Sequence, residues 1–383
     1  MQPLDPVALA QELVRIDSRN PSLAADGPGE AACARALRDI LDAWGFRTEL
    51  IETTPNRTSV VARIGGGPGR SILLNGHIDT VHVEGMTHAP FGGELRDGKL
   101  WGRGSCDMKS GVAVMCVAAA RAHASGALGG EVIVTAVADE EWMSIGTRDV
   151  LAHGVRAAAA VVTEPTRLAV APAHRGFVWV TITFRGRAAH GSRYDIGIDA
   201  IRHAGFLLTE LDALEARELA RITHPLLGHA SLHAGLIAGG TSMTAYPDQC
   251  VLRVERRTLP GERLADIRRQ FESACAAVKS RHPHFDAAVT VDFERSPSDV
   301  SPDAPIVKAM VEATAAVGPR APVEGVSYWS DAALLNEAGI PAVCYGPGDI
   351  ALAHAAEEWL PTAEVARATS VLETFLSRWT RAT

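Results

Sequence analysis

Cysteine is scarce and scattered. Cys33, Cys106, Cys116, Cys250, Cys275 and Cys344 include no C-x-x-C pair, which excludes a disulfide framework and leaves them as small buried hydrophobes. Long apolar runs are missing as well, since the longest, "VAVMCVAAA", is far too short to span a bilayer. The first residues, "MQPLDPVALAQELVRIDS", lack both a basic n-region and a continuous apolar h-region. No signal peptide and a cytoplasmic location are therefore expected. Charge of one sign does not dominate, and a formal net charge of −8 argues against a nucleic-acid or anionic-membrane surface. No G-x-S-x-G elbow and no H-E-x-x-H pair occurs, so serine-hydrolase and single-zinc protease chemistries lack their core. "GELRDGK", Gly93 to Lys99, matches the first seven positions of a P-loop, but Leu100 stands where Ser or Thr would bind magnesium.

With 383 residues, 47% hydrophobic and 21% charged, the chain is a globular protein long enough for two domains. Gly29 to Trp44 carries a helical period that stops at Gly45. "SVVARI" and "SILLNG" flank the turn "GGGPG" and predict a hairpin. Asp107 is expected to open the Ala/Val-rich helix "DMKSGVAVMCVAAARAHAS", an acid suited to the dipole at its N-terminus. "EVIVTAVADEE" and "AAAAVVTE" read as buried strands separated by a helix near Ile145 to His153. Such alternation predicts an α/β sheet covered on both faces. After Ala173 the texture changes to half-exposed strands and amphipathic helices in the order β-α-β-β-α-β, the ferredoxin-like pattern. Strand "PAVCYG" and a final helix, Thr362 to Trp379, return to the first texture. The expected fold class is α/β, with a mixed sheet between helices over residues 1–174 and 294–383, interrupted by a smaller α+β domain over residues 175–293.

Chemistry gathers at the ends of the apolar strands. In "LLNGHIDTVH" a buried strand ends in His77 and Asp79, and residues i and i+2 of a strand share a face. Asp107 follows "LWGRGSC", Asp139 to Glu141 terminate "VIVTAVA", Glu164 terminates "AAAAVV", and His354 follows the loop "YGPGDIALA", so that His77, Asp107, Glu141, Glu164 and His354 fall at or shortly after strand ends. Ligands of open α/β sheets bind outside the carboxyl ends of the strands. Carboxylates packed together repel unless positive charge lies between them. Two imidazoles and three carboxylates suit a pair of zinc-like ions, one carboxylate bridging, and such ions typically lie about 3.5–4 Å apart and clamp a hydroxide nucleophile. Cys106 reads as a packed thiol rather than a nucleophile.

"NGHIDTVH", "DGKLWGRGSCDMKSG", "DEEWMSIGT", "TEPT", "GRAAHGS" and the late His354, taken in order, resemble the M20 metallopeptidases and deacylases. That family includes acetylornithine deacetylases, succinyl-diaminopimelate desuccinylases, aminoacylases and glutamate carboxypeptidases. The resemblance runs over essentially the whole chain and implies a zinc-peptidase-type catalytic domain with a lid and dimerisation domain. It implies that His77, Asp107 and Glu164 hold one metal, and Asp107, Glu141 and His354 the other. Zinc is the expected metal, with cobalt or manganese suited to the same donors. Asp79 is expected to aim His77, and Glu140 to be the general base. The base and the ligand of "EE" would point apart on an extended segment.

The same resemblance makes His190 a donor to the substrate oxyanion, often across the dimer, and Arg257, in "ERRTLPGE", a clamp for a substrate carboxylate. Two positions depart from the family pattern: Thr244 where Asn is common, and Met86 where Trp often precedes "PF". Glu164, rather than Asp, resembles the carboxypeptidase and deacylase branch. The expected function is removal of the acyl group from an N-acyl amino acid with a free α-carboxylate, by a homodimer. A carboxypeptidase or dipeptidase on the same scaffold is the alternative, and a non-catalytic metal-binding homologue is a second.

Overall fold

The computed structural model describes residues 4–382 and divides them into two compact units. One runs to Pro172 and resumes over Val300–Glu324 and from Ser330 onward; the other is Ala173–Asp299 with Gly325–Trp329.

In the first unit a mixed sheet runs in the order Arg47–Ile51, Ser59–Gly65, Glu131–Val137, Ile72–His77, Ala160–Val162, Ala342–Cys344 and Val170–His174. The central four strands, from Glu131–Val137 to Ala342–Cys344, are parallel. The expected hairpin is not formed. Ser59–Gly65 and Ile72–His77 are separated by Glu131–Val137, which pairs antiparallel with the first and parallel with the second. The inserted strand is buried on both faces from Val132 to Val137, so a central place hides more apolar surface than an edge would. The "GGGPG" turn instead lies over the start of that strand, where Gly66 and Gly69 donate to the carbonyls of Gly130 and Gly129.

Alternation along Ile72–His77 sends Leu74 into a core shared with helices Pro6–Val14, Ala31–Ala43, Lys109–Ala124, Pro305–Val317 and Thr362–Trp379. Asn75, on the opposite face, donates to Thr135 Oγ1 at 3.1 Å and to Thr147 Oγ1 at 3.2 Å on helix Ile145–Ala152. Helix Lys109–Ala124 is buried nearly all round, as its lack of a polar face requires. Asp107 does not cap it. The helix starts at Lys109 after Met108, with no side-chain cap, and the Asp107 carboxylate points instead to imidazoles.

The second unit carries an antiparallel sheet in the order Ser231–Gly239, Gln249–Thr258, Gly176–Arg185 and Ala287–Arg295. Numbered along the chain this is 2-3-1-4, the ferredoxin-like arrangement. Val178, Val180, Ile182 and Phe184 alternate inward against Leu207 and Leu211 of helix Ala200–Arg217 and Phe271 and Val278 of helix Leu264–Arg281.

Two glycines separate close packing from mere propensity. A Cβ on Gly111 would lie 2.1 Å from the Thr163 carbonyl oxygen, beside Glu164. Gly205, inside helix Ala200–Arg217, has nothing within 4 Å of the same added atom. Gly111→Ala is therefore expected to lower unfolding free energy by about 1–3 kcal/mol through forced displacement. Gly205→Ala should raise it by about 0.5–1 kcal/mol. Denaturant titration of both variants measures the two signs.

Candidate active site

Each of the four parallel strands delivers chemistry at its carboxyl end. His77 is the last residue of Ile72–His77, and the turn from Asp139 to Glu141 follows Glu131–Val137. Glu164 lies just beyond Ala160–Val162, and the segment leading to His354 leaves Ala342–Cys344. Asp107 arrives from the loop before helix Lys109–Ala124.

Asp107 lies between the two imidazoles. Its Oδ1 is 3.0 Å from His77 Nε2 and its Oδ2 is 3.4 Å from His354 Nε2, while His354 Nε2 is also 3.0 Å from Glu141 Oε1. Donor atoms of His77, Asp107 and Glu141 all lie within 4.8 Å of one another, and so do those of His77, Glu140 and Glu164. Glu164 falls in the group with Glu140 and His77 rather than with Asp107, although, burial apart, Asp107 is the carboxylate whose repulsion raises its pKa most. Asp139 and His354 adopt left-handed backbone, φ +66° and +59°, a conformation uncommon outside glycine that clusters at ligand sites.

The electrostatics are those of crowded acids. Burial raises Glu140 and Glu164 well above their ordinary value and raises Glu141 too, and repulsion from neighbouring carboxylates adds to it. Burial pushes Asp107 the same way, but hydrogen bonds to His354 and His77 outweigh it and hold its carboxyl below its usual value. Burial disfavours both imidazolium forms, yet Asp107 and Asp79 keep His77 well above its ordinary value, and Asp107 and Glu141 lift His354 to about 11. Two imidazoles among four carboxylates leave negative charge in excess. A pair of divalent cations that favour nitrogen and oxygen donors fits this set.

Asp79 does more than face His77. The Nδ1 of His77 is 3.0 Å from the main-chain carbonyl of Asp79 and 3.5 Å from its Oδ1. Its carboxylate accepts the main-chain N–H of Glu140 at 3.1 Å, the N–H of Glu141 at 3.2 Å, and Asn20 Nδ2 at 2.9 Å. Glu140 and Glu141 consequently sit in a turn rather than on an extended segment, and both side chains reach the cluster. Asn20 also donates to Asp139 Oδ1 at 3.0 Å, and Arg57 joins Asp139 at 2.6 Å to buried Glu30 at 2.8 Å. Asp331, buried and accepting from Thr147 Oγ1 at 2.6 Å, adds a further carboxylate whose repulsion reaches Glu140 and Glu164. Burial raises Asp331 to about 6. None of Asn20, Arg57, Glu30 and Asp331 ends an apolar strand in the sequence, so strand-end reasoning misses them.

His190 and Arg257 belong to the other unit. His190 is exposed, its Nδ1 2.8 Å from Ser192 Oγ, and the Thr244 carbonyl accepts the N–H of Gly191 next to it at 2.7 Å. Arg257 pairs with Glu255 at 2.6 Å and lies over the Phe177 ring. Cys106 is buried, with Sγ 3.3 Å from the Asp349 carbonyl, and burial pushes its thiol well up. Among the described residues no helix is long and apolar enough to cross a membrane.

The model of peptidase family M20/M25/M40 matches residues 73–378. The chain is 31% identical over 343 residues to an acetylornithine deacetylase of Myxococcus xanthus, covering 87% of this chain and 88% of that one. Among solved structures it resembles aminopeptidase PepT of Bacillus cereus, with TM-score 0.80, 19% identity and 98% of each chain covered. It also resembles Bacillus subtilis YXEP, a dinuclear metal-binding peptidase of family M20, with TM-score 0.73, 19% identity, and 99% of this chain and 98% of that one covered. The chain belongs to peptidase family M20/M25/M40 and is, with that family, a hydrolase of amide bonds.

Proposed function

We propose that the protein removes the acyl group from an N-acyl amino acid with a free α-carboxylate, in a reaction of the acetylornithine-deacetylase type, with two divalent cations. The observation that carries this reading is Asp107, whose two oxygens face different imidazoles. His77, Asp107 and Glu164 would hold one cation, and Asp107, Glu141 and His354 the other. Zinc is the proposed metal, and cobalt or manganese suit the same donors. Bound there, the cations supply Lewis-acid polarisation of the scissile carbonyl and acidify the attacking water.

Glu140, grouped with His77 and Glu164, is the proposed general base. It takes a proton from the attacking water and delivers it to the leaving amine. Asp79 holds both the His77 ring and the turn that carries Glu140. His190 is proposed as the donor to the developing oxyanion. Arg257 is proposed as the clamp for the α-carboxylate, which would displace Glu255 from its planar fork. The 31% identity to an acetylornithine deacetylase over most of both chains supports an acetyl group as the one removed.

A homodimer completes the proposal. Ser231–Gly239 is an edge strand that exposes Leu236 and Ile237 by 64% and 55%, the kind of edge that pairs with another chain unless blocked. Six free cysteines suit the reducing cytoplasm proposed for the protein.

Zinc-loaded wild type should release acetate from N-acetyl amino acids faster than it releases amino acids from dipeptides. Glu140→Gln should bind metal as wild type does while kcat falls by about 100- to 10,000-fold, the usual contribution of a general base. A dipeptide preference, or full activity in Glu140→Gln, would overturn the assignment. By light scattering, wild type should be dimeric and Ile237→Lys monomeric. A monomeric wild type removes the dimer from the account.

A further inference from the structure

Glu358 has no part in the chemistry above, yet it is a fully buried carboxylate. Burying an acid without partners is expensive, and Glu358 is fully partnered. Its Oε2 lies 2.6 Å from Arg103 Nη1, and its Oε1 accepts the main-chain N–H groups of Cys106 at 2.9 Å and Asp107 at 3.2 Å. Arg103, itself buried, donates through Nε to the carbonyl of His82 at 2.9 Å. The pair therefore joins three stretches of chain, each containing or directly following a residue proposed to hold metal: the loop after His77, the loop before Asp107, and the stretch after His354.

Asp107 is gripped from both ends by one short segment. His354 reaches its carboxylate at 3.4 Å, and Glu358 reaches its main-chain N–H. The loop being held contains Gly102 and Gly104, both at positive φ, where the backbone has more freedom than elsewhere. Charge-assisted hydrogen bonds to two consecutive N–H groups remove that freedom. Asp79 does the same to the N–H groups of Glu140 and Glu141. The two acidic loops of the site are thus each pinned by a buried carboxylate that accepts two adjacent amides.

We propose that Glu358, with Arg103 as its counter-ion, is a positioning residue that fixes the main chain at Asp107 so that its carboxylate faces both imidazoles, and thereby sets the affinity of the site for its cations. This rests on the reading of Asp107 as the shared ligand.

The test is cobalt(II) titration of the full chain, followed by visible absorbance and by competition with a chromogenic chelator. Wild type, Glu358→Gln, Arg103→Lys and Arg103→Met are compared, with kcat, KM and thermal melting measured at saturating metal. The amide of Glu358→Gln keeps the shape but turns an N–H₂ toward Arg103. Loss of metal affinity by about 10- to 100-fold is expected, the usual effect of removing a group that supports a ligand. A fall in kcat with KM near wild type should accompany it. Arg103→Lys should retain most of the affinity and Arg103→Met should lose it. A folded Glu358→Gln with wild-type cobalt affinity, even if it melts earlier, would overturn the proposal. Should Glu358→Gln fail to fold, Glu358→Asp keeps the charge but is too short to reach Arg103 and the Cys106 and Asp107 amides together, and unchanged cobalt affinity there would overturn it equally. Wild type that binds no cobalt would sink the reading of Asp107 itself, an outcome separate from the others.

Discussion

Repulsion between buried acids governs how this protein must be built. Asp107, Glu140, Glu141 and Glu164 converge on two imidazoles, and two unit charges 4 Å apart at an effective dielectric of 20 repel by about 4 kcal/mol. A flexible chain would relieve that by moving the acids apart. The fold prevents it by placing each group at a strand end or in a loop held by main-chain hydrogen bonds, and by neutralising what remains with His77 and His354. The same repulsion makes the cluster receptive to cations, because positive charge between the acids offsets it.

The scaffold follows from that need. Parallel strands place their carboxyl ends side by side, and the register sets His77 opposite Val137 and Asn75 opposite Val162, so the turns beyond them emerge on one rim. Helix Lys109–Ala124 approaches this rim closely because Gly111 has no side chain to strike Thr163. Around the clustered acids and imidazoles lies a second tier of ionic contacts, Glu30–Arg57–Asp139 and Arg103–Glu358. Each buried charge there meets an opposite charge and main-chain or side-chain hydrogen bonds, which is what makes burying it tolerable. That tier holds main chain rather than substrate, and it turns two acidic loops into fixed geometry.

The sequence reveals the outer logic of the site more readily than its support. His77, Glu141 and Glu164 stand out because an apolar strand that ends in an acid or imidazole breaks its own pattern. The ferredoxin-like order was legible because alternation and amphipathic periods change texture after Ala173. Sheet order was not. Local turn chemistry at "GGGPG" predicts a hairpin, whereas the doubly buried strand Glu131–Val137, far along the chain, takes the place between the two strands. Asp107 reads as a helix acid because periodicity cannot see the imidazoles that claim it. Asn20, Arg57, Asp331 and Glu358 sit singly in loops or at element starts, where polar residues are common. Their meaning arises from tertiary contacts with residues 27 to 255 positions away.

The central claim, two cations sharing Asp107, is tested most directly by an anomalous difference map at the zinc edge from crystals of the zinc-loaded protein. The account predicts two peaks, one against His77, Asp107 and Glu164 and the other against Asp107, Glu141 and His354. A single peak, or two peaks with Asp107 bound to neither or only one, would contradict it.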